Sequence, residues 1–68
     1  MKRKTCEVII KENGVERQDS EHKFMKDAEK RARELTLERV RGGEQTLVHT
    51  QKVYKFPNDF WIIARYVQ

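Results

Sequence analysis

The sequence predicts an α+β domain of order ββαββ, an antiparallel sheet of two hairpins with one amphipathic helix packed on one face. Three observations predict it. Asn13-Gly14 separates an alternating segment from a polar one, residues 26–41 carry a helical apolar stripe, and Thr46–Val67 holds two β-branched and aromatic runs around Pro57-Asn58-Asp59. A helix laid across one antiparallel sheet is the simplest two-layer solution for that order.

The first strand is read from Thr5–Glu12, where Cys6, Val8 and Ile10 alternate with Thr5, Glu7, Ile9 and Lys11. Alternate side chains point to opposite faces of a sheet, so the first set is assigned to the core. Asn13-Gly14 then suits a type I′ turn, which needs positive φ at both central residues. The chain returns over Val15–Lys23, a segment so polar that it is expected at an edge, the alternative being a loop after about Gln18.

The helix is expected over Lys26–Arg41, terminated by Gly42-Gly43. Phe24, Ala28, Ala32 and Leu35 make one stripe, with Met25 at its edge. Asp27/Arg31, Glu29/Arg33 and Lys30/Glu34 are spaced to pair along the helix surface, each pair adding about 0.2–0.5 kcal/mol. Leu37 and Val40 lie off the stripe and either cap the last turn against a loop or touch a partner.

The last hairpin is read as strands Thr46–Phe56 and Phe60–Val67 joined by residues 57–59. That loop length sets Phe56 opposite Phe60, Tyr54 opposite Ile62, Lys52 opposite Ala64 and Thr50 opposite Tyr66, all on the core face. The other face then carries Val53, Trp61, Ile63 and Val67 with Lys55, Arg65, His49 and Gln51. A loop one residue shorter or longer would exchange the partners.

The 68 residues make room for one domain, over residues 5–68, behind a basic tail at 1–4. A single cysteine excludes an internal disulfide, and no Cys/His spacing suggests structural zinc. The lone thiol and the lack of a secretion-signal pattern point to a cytoplasmic protein, and no apolar run is long enough to span a membrane. The net charge of +4 comes mostly from Lys2, Arg3 and Lys4; the remainder holds twelve basic and eleven acidic residues. The basicity therefore belongs to a tail rather than to a field over the whole domain.

Catalytic chemistry finds little support. Cys6 lies on the presumed core side, and His22 and His49 stand alone, with no partner at ligand spacing. Arg41-Gly42-Gly43-Glu44 is a helix terminator rather than a phosphate cradle, so no cofactor, metal or small-molecule substrate is expected. Two binding functions are expected instead. In the first, Trp61, Ile63, Val53 and Val67 form the apolar centre of a protein interface rimmed by Lys55, Arg65 and His49, its partner a foreign protein or a second copy. In the alternative, nucleic acid is held by Lys2, Arg3, Lys4, Lys55 and Arg65, with Trp61 stacking a base and Lys26, Lys30 and Arg33 forming a basic helix stripe. The element order and charged composition resemble those of many short phage or bacterial accessory proteins, and no motif selects one family.

Overall fold

A computed structural model describes residues 4–67 as an antiparallel five-stranded sheet covered on one face by one helix. Chain order is β1 (Cys6–Glu12), β2 (Val15–His22), α1 (Met25–Arg41), β3 (Val48–His49), β4 (Val53–Phe56) and β5 (Phe60–Tyr66). Across the sheet the order is β2-β1-β5-β4-β3, so the first and last long strands meet at the centre.

Both turn signals hold. Asn13 and Gly14 have φ of 53° and 83°, and β2 leaves in register with Glu12 opposite Val15. Asn58 and Asp59 also take positive φ, and the three-residue loop sets Phe56 opposite Phe60 and Tyr54 opposite Ile62. The Asn13 N–H donates to the Asp59 carbonyl at 3.1 Å, tying the two turns together where β1 and β5 lie side by side.

One strand assignment is corrected. Thr46–Phe56 is not one strand: a turn at residues 50–52 divides it into β3 and β4. Thr50 Oγ1 accepts the Val53 and Lys52 N–H groups at 3.1 and 3.3 Å, a local bond that competes with a straight ladder. Lys52 still reaches Ala64 through its carbonyl, but Thr50 never meets Tyr66. The return strand expected over Val15–Lys23 forms as β2 and continues to His22 through a bulge, with Val8 opposite Ser20 and Ile9 opposite Gln18, so the alternative of fraying after Gln18 is not taken. The unpaired Asp19 turns to the helix side and bonds Arg31 at 3.0 Å. Arg31 thus serves the sheet rather than the helical partner Asp27 expected from spacing.

The core lies between α1 and the sheet, built from Cys6, Val8, Ile10, Tyr54, Phe56, Phe60, Ile62 and Ala64 against Ala28 and Ala32. The helix stripe differs from the expected one at both ends. Phe24 stands outside the helix as its N-cap and is exposed, whereas Thr36 is buried. Thr36 resolves its polarity by donating its hydroxyl to the Ala32 carbonyl at 2.8 Å. Ala28 and Ala32, with no side chain beyond Cβ, let the helix lie close on the sheet. At the helix end Gly43, with φ of 98°, is the left-handed residue. Its N–H and that of Glu44 return to the Val40 and Arg39 carbonyls, a Schellman motif. One turn earlier the Arg39 guanidinium lies 3.6 Å from the Phe60 ring centre and 5.2 Å from that of Phe56, closing the core.

Candidate functional site

The helix leaves the other sheet face uncovered by any described element, and the strand pairings fix what stands on it. Across that face the central row runs Gln18, Ile9, Ile63, Val53 from β2 to β4. The next row runs Glu16, Lys11, Trp61, Lys55, Val48 from β2 to β3. On the other side of the centre stand Glu21, Glu7 and Arg65. Trp61, Ile63, Val53 and Lys55 are half-buried, and Val48 is exposed. The Lys55 ammonium sits 4.9 Å from the Trp61 ring centre, so the cation covers part of the indole.

Arg65 is already engaged. Its Nε donates to Glu7 at 2.9 Å and a terminal nitrogen to Glu16 at 3.2 Å. The Arg65–Glu16 bond links β5 to β2 over β1, the strand that carries Ile9. Ile9 is only 4% exposed despite standing on the uncovered face. It was missed as a member of the surface because β1–β5 pairing joins distant parts of the chain. The signal available was Val8-Ile9-Ile10, an unbroken apolar run of the kind central strands carry.

The expected site residues do not all converge. His49 was assigned to the Trp61 face, but it pairs with Tyr54 and stacks on that ring at 6.2 Å, on the helix side. The turn at 50–52 breaks the alternation on which that assignment depended. Val67 follows β5 and donates to the Thr5 carbonyl at 2.9 Å, at the opposite end of the face from Trp61. Gln51 lies in the turn. Lys26, Lys30 and Arg33 are exposed on α1, in the layer on the far side of the sheet. Lys4 approaches the Tyr66 ring at 6.0 Å, and the seven-residue offset from Lys4 to Lys11 puts it roughly 23 Å along the strand from the Trp61 row. Lys2 and Arg3 lie outside the described residues.

Beside the helix, Arg33, His49, Thr50, Gln51 and Tyr54 line an open cleft of about 570 Å³. Leu37 and Val40 line a neighbouring apolar one with Thr46 and Tyr54. Neither contains Cys6. That thiol is buried opposite His22, whose Nε2 lies 2.8 Å from the Ser20 hydroxyl oxygen. Among the described residues no group of three or more His, Cys, Asp or Glu is placed to hold a metal ion, and no helix is long and apolar enough to cross a membrane.

Two carboxylates are shifted by their ion pairs. The Arg65 guanidinium holds Glu7 below its ordinary value of 4.5, and Arg31 does the same to Asp19 from 3.8, each against the opposing pull of burial. A pKa lower in the folded than in the unfolded chain stabilises the fold above the unfolded value. That contribution disappears as pH falls through the folded value. Acid unfolding followed by circular dichroism should therefore show Glu7→Gln and Asp19→Asn losing less stability than wild type between about pH 4.5 and more acid conditions. Equal acid slopes would contradict the pairing.

No protein-family model matches the chain, and comparison with curated proteins and with solved structures returns no match.

Proposed function

We propose that the chain is a small non-enzymatic binding module of the cytoplasm that engages a protein partner through the sheet face opposite α1. The observation that carries this is the uncovered, half-buried pair Ile63 and Val53, with Trp61 beside it and the buried Ile9 beneath the Arg65 bridge. An apolar centre containing tryptophan with a charged margin is the usual make-up of an interface hot spot. The charge balance favours protein over nucleic acid. Lys11, Lys55 and Arg65 share the face with Glu7, Glu16 and Glu21, and Arg65 is bound to two of these carboxylates. A phosphate backbone is gathered by a field of one sign, and this face has none.

Nucleic acid remains the second candidate on one observation, the Lys11–Trp61–Lys55 row, which places cations on both sides of an indole. Titration with single- and double-stranded oligonucleotides at low and moderate salt, read by Trp61 emission, tests it. Because Trp61 is the only tryptophan, the signal has one origin. The protein-interface function predicts no quenching. Quenching that weakens as salt rises would transfer the function to nucleic acid.

A further inference from the structure

We infer that the partner is a second copy of this chain, packed sheet on sheet about a two-fold axis running along the strands between β1 and β5; this rests on the uncovered face being the working surface. The ground is the order of charges on that face. An isologous contact needs a surface complementary to itself. Rotation about this axis lays β5 over the partner's β1 and β4 over the partner's β2, an aligned packing of the kind β-sandwiches adopt.

In the Trp61 row, Lys55 then meets the partner's Glu16, and Lys11 lies over the partner's Trp61. In the row at the other end, Arg65, already bonded to Glu7 and Glu16 of its own chain, faces the partner's Glu7 as well, and Ile63 lies at the centre over the partner's Ile9, which is nearly buried. Both ionic contacts join opposite charges, and each occurs twice. Other two-fold placements lose this match. An axis over β5 would set Lys11 against Lys55 and Arg65 against itself, and one running across the strands at the level of Ile9 would join Lys11 to Glu7 but set Glu16 against Glu21. Like charges brought together at an interface disfavour those arrangements.

Sedimentation equilibrium on the full chain tests this with wild type, Lys55→Glu, Glu16→Lys and an equimolar mixture of the two variants. Circular dichroism checks that each variant is folded. Wild type is expected to dimerise as concentration rises. Each variant alone places like charges at both symmetry-related contacts and should associate roughly tenfold more weakly or worse. The mixture should recover wild-type mass, because the mixed pair joins opposite charges at both contacts. Variants that dimerise like wild type, or a mixture that stays monomeric, would overturn the axis. A wild type that is monomeric at every concentration would overturn the second copy while leaving the face to a foreign partner. A dimer indifferent to Ile63→Lys would overturn the face itself.

Discussion

Phe56→Ala is expected to remove roughly a third or more of the stability of the fold. Phe56 is fully buried, meets Phe60 edge to face at 5.6 Å between ring centres, and lies under the Arg39 guanidinium. Truncating a buried phenylalanine costs about 3–5 kcal/mol, the lost transfer energy plus the cavity left behind. A domain of 68 residues has a total stability of roughly 3–10 kcal/mol. The loss is therefore a large part of the whole. Loss of the Phe56 ring would also remove part of the aromatic surface on which Arg39 rests, leaving it Phe60 alone. Urea unfolding by circular dichroism checks this, with Phe56→Leu as the milder control. A Phe56→Ala chain that unfolds within about 1 kcal/mol of wild type would show that the helix, rather than this aromatic pair, holds the core.

Ile63→Lys is expected to abolish association while leaving the fold standing. The side chain occupies the middle of the uncovered face, between Ile9 and Val53, yet is only half-buried within one chain. A lysine there can extend its ammonium to water in the monomer, so the fold loses about 1 kcal/mol. At a closed interface the same charge has no water and no opposite partner, which weakens association by about 2–4 kcal/mol, the range of a hot-spot residue. Parallel urea unfolding and sedimentation separate the two effects. Loss of fold and of association by equal amounts would make Ile63 a core residue and nothing more.

The local parts of this fold were legible in the sequence. Asn13-Gly14, the Pro57-Asn58-Asp59 loop and the helix end each depend on backbone preferences of a few adjacent residues. The register of β4 on β5 followed from loop length alone. What escaped was either masked by composition or set by distant pairing. Val48, Tyr54 and Phe56 are good strand formers, so the β3–β4 region reads as one strand unless the polar Thr50-Gln51-Lys52 triplet is taken as a turn. That one break moved His49 to the helix side. The β1–β5 ladder joins Cys6–Glu12 to Phe60–Tyr66, segments far apart in sequence, and nothing local announces it. It brings Ile9, Lys11 and Glu7 beside Trp61, Ile63 and Arg65, and so assembles the face. The bulge at Asp19 depends on a helix arginine and was equally out of reach.

In the proposed dimer the sheet face around Trp61 is closed by association, and Trp61 emission across a dilution series tests this most directly. Paired measurements on wild type and Ile63→Lys would follow emission wavelength and acrylamide quenching. Wild type should move to longer wavelength and faster quenching on dilution, as each face is returned to water. Ile63→Lys should show the exposed signature at every concentration. Emission that is identical in the two proteins and unchanged by dilution would contradict the account.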